Sequence, residues 1–396
     1  MIRVALVCQG LQTGGGVPAV ARWLRDALGS LPDFQVDVHD LAISSRDPAS
    51  RMLRRPATWR RSSLRQPRDS AGVIHWGANA VELEPMRYMP RAELTRALAS
   101  YDVVQIVAGG PALAYVANRA GRPVVLQMAT FARWEREAIL ASWSRLARLR
   151  GHAITALTGR VEAKAVRSAS AVLVENDLVA AAVRRLGQPR VEKAPPGVDT
   201  DRYRPRVEGW ARDGYLLSVA RLGEPRKGLD RMILAYDCLV RQRNETPSLV
   251  LAGKGRLNDS VSKLIGELNL TSRISVRSDI APDELPDLYR GASVFVQTSH
   301  EEGLGLASIE AMASGLPVVA TETAGSREVV IEDVTGWLVP QRPSNDVPVG
   351  MASRVFEALD RGVELGAAAR HRAEEVFSTR ATLERYVDTY HRVLMG

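Results

Sequence analysis

Two carboxylates, Glu302 and Glu310, stand with seven residues between them in Glu302-Gly303-Leu304-Gly305-Leu306-Ala307-Ser308-Ile309-Glu310, flanked by the apolar runs 292–297 and 317–320. The order reads strand, glycine turn, helix, strand. Gly303 and Gly305 allow a backbone to approach a ligand with no Cβ in the way, and the helix that follows presents unpaired N–H groups and a positive dipole end. Such a turn holds an anion, while acids beside it accept hydrogen bonds from hydroxyls. A sugar diphosphate presents both kinds of group.

Cations for the diphosphate are at hand in Arg221 and Lys227, with five residues between them, on the loop after the run 215–219. Two positive groups at a strand's carboxyl end can close on a leaving diphosphate; taken alone they read equally as surface charges on a turn. Gly253-Lys254-Gly255, after the run 248–252, offers bare backbone to a ribose or a base. Near the N-terminus, Gly10 and the consecutive Gly14, Gly15 and Gly16 follow the first apolar run and open a helix. They form either a nest of N–H groups for a phosphate or for acceptor oxygens, or a plain glycine turn. Their spacing is not that of the dinucleotide fingerprint, and no Lys-Ser or Lys-Thr pair follows.

The elements that must position these groups follow from the rhythm of the chain. Apolar runs of strand length alternate with helical patterns throughout, which predicts an α/β protein with parallel sheets covered by helices. Strands are expected at 2–9, 35–41, 103–107, 123–127 and 171–174, then at 215–219, 248–252, 274–276, 292–297 and 317–320. Helices are expected at 17–28, 111–120, 177–186 and 378–394. The turn-rich stretch 193–205 links the halves. The expected organisation is an N-terminal acceptor-binding domain over 1–198, a donor domain over 199–377, and a last helix, 378–396, crossing back to the first. Two doubly wound domains would present the carboxyl ends of both sheets to a shared cleft.

At 396 residues the chain is too long for one ordinary core. No apolar run approaches the roughly 20 residues that span a bilayer, and the N-terminus leads directly into a glycine turn, so a cytoplasmic protein is expected. Cys8 and Cys238 read as reduced core residues. The net charge is +8, but only five of the 53 basic residues are lysine, a bias that inflates the pI and fits GC-rich bacterial coding. Arginines crowd residues 51–68, which read as a mobile surface loop, and recur at Arg145, Arg148 and Arg150, where they form either a solvated helix face or an amphipathic surface for anionic lipid. Nucleic acid is not expected as a partner, because aromatics are scarce and Trp59 is alone among the arginines. No pair of the six histidines has metal-ligand spacing, although His300 immediately precedes the Glu302 turn.

These motifs, taken in order, resemble the retaining glycosyltransferases of family 4: Arg221 with Lys227, Gly253-Lys254-Gly255, Glu302 with Glu310, Pro317-Val318-Val319-Ala320 and Ala324-Gly325-Ser326-Arg327-Glu328, together with the link Gly197-Val198-Asp199. The second half matches closely and the first in outline. The resemblance implies a GT-B fold, a UDP- or GDP-sugar donor, a small polar acceptor, and neither metal nor cofactor. It places the donor diphosphate on Arg221, Lys227, Gly16 and the 303–306 turn (Gly303, Leu304, Gly305, Leu306), with Glu302, Arg221 and Lys227 as the catalytic set. The ribose and base fall to Glu310, Gly253 and Lys254. Sugar and acceptor fall to Gly15, Gly16, Gln127, Thr130 and Glu302. Asp199-Thr200-Asp201 lies in the link rather than after a first-domain strand, so it is not read as a metal site. Two departures stand out: Ala129 and Gln105 occupy positions where many members carry histidine near sugar and acceptor, which suits an unusual substrate and a role in bacterial secondary metabolism. A nucleotide-sugar epimerase or pseudo-glycosyltransferase on the same fold, and a peripheral membrane glycosyltransferase with a lipid-linked acceptor, are the alternative readings.

Overall fold

The computed structural model describes residues 1–11, 16–43, 47–69, 71–141, 144–243 and 245–396, apart from the side chains of 137–139 and 141. The chain divides into two compact units, residues 1–196 with 383–396, and residues 197–382.

The first unit is built on eight strands: β1 (Ile2–Gln9), β2 (Phe34–Leu41), β3 (Leu64–Gln66), β4 (Val73–Trp76), β5 (Val103–Ala108), β6 (Val124–Met128), β7 (Ala171–Val174) and β8 (Val191–Lys193). They lie in the order β3-β4-β2-β1-β5-β6-β7-β8, parallel except for β3 against β4. β5 and β6 are buried along their whole length, so their valine-rich runs show no alternation of apolar and polar residues. Val103, Val107 and Val125 face one layer, with Leu24 and Leu28 of the helix Gly16–Gly29. Val104, Ile106 and Leu126 face the other, with Ala165 and Val166 of the helix Arg145–Ser168.

The last helix, Thr379–Met395, starts in the second unit and from Leu383 onward belongs to the first. Its Tyr386 and Tyr390 are fully buried there: Tyr386 packs edge-on against Trp23 with ring centroids 5.6 Å apart and donates to Ala194 O at 3.1 Å. Tyr390 OH donates to Gln105 Oε1 at 2.9 Å, and Gln105 Nε2 donates to Ile106 O at 3.0 Å. Gln105, expected beside sugar and acceptor, is thus a core residue. A buried amide is tolerated in the sheet because both of its ends are bonded.

The arginine-rich stretch expected to be a mobile loop carries a defined pattern of hydrogen bonds. Arg91, itself buried, donates through Nη1 to Ala49 O and Gly77 O and through Nη2 to Arg61 O. Glu93 accepts from the hydroxyls of Ser62 and Ser63 at 2.8 and 2.7 Å. The ordering groups lie 20 or more residues downstream of the loop's start, so the loop itself gives no sign of them.

The second unit has six parallel strands, β9 (Tyr215–Arg221), β10 (Leu249–Lys254), β11 (Ile274–Ser278), β12 (Ala292–Gln297), β13 (Val318–Thr321) and β14 (Gly336–Val339), in the order β11-β10-β9-β12-β13-β14. Strand order reverses between β9 and β12, and ligands of open α/β sheets bind at the carboxyl ends beside such a reversal. β9 ends at Arg221, and β12 ends at Gln297, five residues before Glu302.

Candidate functional site

Lys227 and Glu302 meet at this reversal. Lys227 ends a single 3-10 turn, Pro225–Lys227, and Gly228 follows in the left-handed region at φ 60°. The turn is held to the end of β12: Thr298 Oγ1 donates to Gly228 O at 2.8 Å, and His300 N donates to Arg226 O at 2.8 Å. Lys227 Nζ then donates to Glu302 Oε2 at 2.6 Å, with both side chains about 15% exposed (14% and 16%). The same oxygen accepts from Gln297 Nε2 at 2.7 Å and from Ser299 Oγ at 3.3 Å. One carboxylate oxygen therefore gathers a cation, an amide and a hydroxyl. Gln297 is fixed in turn by Ser308 Oγ, which donates to its Oε1 at 2.5 Å from the helix Leu306–Ala313.

Gly305, at φ 93°, precedes that helix, and the backbone from Gly303 to Leu306 forms its approach. The approach is backed by the helix Ala324–Val329, whose start is closed by a capping box between Thr323 and Ser326. A Cβ on Gly325 would lie 2.6 Å from Leu304 N and 2.7 Å from Gly303 C, so only glycine permits this contact. Gly325 N also donates to Glu302 O at 2.9 Å, tying the turn to the second helix.

Arg221 is half-exposed at the end of β9, its Nε 2.9 Å from Glu224 Oε2. Lys254 pairs in register with Arg221 across β9 and β10 and is exposed. Gly253 sits at φ 142°, and a Cβ there would fall 1.8 Å from Ala220 O, so the close approach of the two strand ends requires glycine. Gly255 N donates to Asp279 Oδ1 at 2.9 Å, which links this turn to the end of β11.

Glu310 lies on the helix Leu306–Ala313, where its Oε2 accepts from Tyr289 OH at 2.8 Å. Burial pushes its carboxyl up to about 7, against hydrogen bonds from Tyr289 and Tyr203 that pull it down. The two tyrosines pack edge-on with centroids 5.6 Å apart. His300 lies on the same side of the sheet as Gly228, its ring pulled below the usual histidine range by burial first and then by Arg231. Among the described residues no cluster of three or more His, Cys, Asp or Glu side chains is placed to hold a metal ion.

In the first unit, Gly16 opens the helix Gly16–Gly29 and is exposed, while Gly14 and Gly15 lie outside the described residues. Ala129 N and Thr130 N both donate to Gly109 O, at 3.0 and 2.9 Å, so the turn after β6 is tied to the turn after β5. Glu162, buried on the helix Arg145–Ser168, accepts from Ala132 N at 2.9 Å and completes this fixing. Gln127 is 2% exposed, and neither its Nε2 nor its Oε1 has a hydrogen-bond partner among the described residues.

The structure brings Lys227, Glu302 and the 303–306 turn together and sets Arg221 and Lys254 on neighbouring strand ends. It places Glu310 behind them with two tyrosines, and Gly16, Gln127 and Thr130 in the other unit. Sequence reasoning missed Gln297, Ser299 and Ser308, and also Tyr203 and Tyr289 around Glu310. Gln297 had a signal, being the polar residue that closes the otherwise apolar run of β12. The tyrosines had none, since Tyr203 lies in the turn-rich link and Tyr289 on the helix Leu285–Gly291, far apart in sequence from each other and from Glu310.

Two α/β units with parallel sheets reversing at a glycine-turn site define the GT-B class, and the solved structures agree. Sucrose-phosphate synthase from Thermosynechococcus elongatus superposes with a TM-score of 0.70 over 100% of both chains at 20% identity, a likeness of fold. Residues 201–352, within the second unit, match the family model for glycosyl transferases group 1. A GDP-mannose-dependent alpha-(1-6)-phosphatidylinositol monomannoside mannosyltransferase of Mycobacterium tuberculosis is 33% identical over 198 residues, 46% of this chain and 50% of that protein. The MMP alpha-(1->4)-mannosyltransferase of Mycolicibacterium hassiacum is 28% identical over 286 residues, 72% of this chain and 66% of that protein. The match to the first of these spans about half of that relative's length. No described helix is long and apolar enough to cross a membrane.

Proposed function

We propose that this chain is a retaining glycosyltransferase that moves a sugar from a nucleoside diphosphate to a hydroxyl of a small polar acceptor. The observation that carries the reading is the single Glu302 oxygen shared by Lys227, Gln297 and Ser299 at the strand-order reversal. Arg221 and Lys227 supply positive charge for the diphosphate, and the amides of the 303–306 turn add the N-terminal end of a helix dipole. Glu302 accepts from hydroxyls of the transferred sugar and Glu310 from those of the ribose. Gly16, Gln127 and Thr130 serve the sugar and the acceptor.

In the reaction the bond from sugar C1 to the β-phosphate oxygen breaks while the acceptor oxygen bonds to C1 on the same face. The acceptor's proton passes to the departing diphosphate, whose negative charge Arg221 and Lys227 stabilise. Configuration is kept, no covalent sugar–enzyme bond forms, and the positive charge needed at the leaving group comes from side chains. Between the two donors considered, a GDP-sugar is favoured by the mycobacterial relative, whose name specifies GDP-mannose.

A melting screen with GDP, UDP, ADP and TDP tests the donor, because a nucleotide at 100 times its dissociation constant stabilises by about 2.7 kcal/mol. GDP or UDP is expected to raise Tm, and Lys227→Ala to remove the shift and lower turnover by about 10²–10³ with the fold intact. Near-normal turnover in Lys227→Ala would remove that residue from the mechanism. Conversion of the nucleotide sugar to its epimer with no second substrate would favour an epimerase.

A further inference from the structure

We infer that residues 52–60, together with Leu83, form a docking foot for an anionic lipid surface. The segment folds back on itself. Met52 N donates to Thr58 Oγ1 at 2.9 Å, Thr58 N to Arg55 O at 2.9 Å, Arg55 N to Met52 O at 3.2 Å, and Trp59 N to Pro56 O at 2.9 Å. Leu53 N and Arg54 N donate to the two carboxylate oxygens of Glu82, at 3.0 and 3.3 Å. Pro56 has no N–H to satisfy. Trp59 Nε1 donates to Met52 O at 2.9 Å, yet the side chain remains 51% exposed.

These bonds decide what the foot can enter. Six N–H groups of the segment, those of Met52, Leu53, Arg54, Arg55, Thr58 and Trp59, are bonded within the chain, and each so avoids the several kcal/mol that an unsatisfied N–H costs in an apolar phase. An indole whose N–H is already bonded presents mainly its ring to the surroundings, and tryptophan favours the headgroup level of bilayers. Leu53 and Leu83 are exposed alongside it. Arg54, Arg55 and Arg60 are also exposed and make no side-chain ion pair with a described residue. Glu82 has both oxygens occupied by the backbone N–H groups of Leu53 and Arg54, and its charge also acts on Arg54. Apolar side chains ringed by arginines complement anionic headgroups, each arginine near the surface contributing roughly fivefold in partition.

The helix Arg145–Ser168 is the rival surface. It exposes Leu146 and Leu149 among its arginines, and its N-terminal neighbours 142–143 lie outside the described residues. The foot carries an exposed indole, which the helix Arg145–Ser168 lacks, and is preferred on that ground. It does not depend on the reading of the donor site.

Flotation of the full chain tests the inference, using phosphatidylcholine vesicles with and without about one-third phosphatidylglycerol. The chain is expected to float with the anionic vesicles at low salt and to remain below with phosphatidylcholine alone. Arg54→Gln/Arg55→Gln/Arg60→Gln should lower the bound fraction by about a hundredfold, and Trp59→Ala severalfold, with melting temperature unchanged. Leu146→Glu/Leu149→Glu should float like the parent. Absence of flotation at low salt, equal flotation of the foot variants, or loss confined to the Leu146/Leu149 variant would overturn the inference. So would complete displacement by heparin combined with normal flotation of Trp59→Ala, since that pattern belongs to a soluble polyanion or an acidic protein partner.

Discussion

At the strand-order reversal of the second unit the polar groups around Glu302 are bonded to one another, whereas near the end of β6 in the first unit a buried amide has no partner among the described residues. Glu302 Oε2 collects three donors, and Gln297 is bonded at both ends of its amide. Gln127, equally buried, has neither end bonded. A site held by its own side chains is rigid before its ligand arrives, which suits the donor half of the proposed reaction. An unsatisfied buried amide costs stability until something bonds it. On the proposed function, the donor is recognised by the second unit and the acceptor is chosen by the first.

The strongest way to break this comparison is Glu302→Ala. It leaves Lys227, Gln297 and Ser299 without their shared acceptor, so both turnover and stability should suffer, by about 10²–10³ in rate and about 1–3 kcal/mol. Steady-state kinetics and denaturant unfolding on one preparation would check the two together. A loss of rate with unchanged stability would mean that the wiring is not what holds the site.

Glu310 sharpens it through pH. Its carboxyl, ordinarily at 4.5, sits at about 7 in the folded chain. The folded form then keeps a proton that the unfolded form has lost, so stability falls as pH rises from about 4.5 to about 7 and levels off above. In the folded chain this carboxyl ionises only as pH nears about 7, where it becomes a better acceptor for ribose hydroxyls, so nucleotide affinity should rise at the upper end of the interval while stability is still falling. Calorimetric Tm and nucleotide titrations across this range should show opposite slopes, and Glu310→Gln should flatten both.

The smallest effect is expected from Gln127→Leu. Removing an unpaired amide should raise stability by up to about 1 kcal/mol, while KM for the acceptor rises severalfold and KM for the donor stays level. A change in donor KM as large as that of the Glu302 variant would erase the division between the units.

Much of the second unit was legible in the chain. Arg221, Lys227, Glu302 and the 303–306 turn all sit at ends of apolar runs, and a parallel sheet places such ends on one edge. The three-way sharing of the Glu302 oxygen was not legible, because it depends on the register of β12 against β9, which no local pattern encodes. Gln105 was misread for a related reason: its partner, Tyr390, is 285 residues away. β3, β4, β8 and β14 were missed because runs of three or four residues carry too little periodicity to separate from loops.

The last helix has a consequence for how the molecule is made. Leu383, Tyr386, Tyr390 and Val393 are walls of the first unit's core. Residues 1–196 emerge from the ribosome first but lack that wall until residues 383–396 follow. The second unit, 197–382, needs nothing further down the chain to close its own core. The half synthesised first is therefore the half completed last, and a fragment ending at Pro196 would expose the apolar faces that Tyr386 and Tyr390 cover.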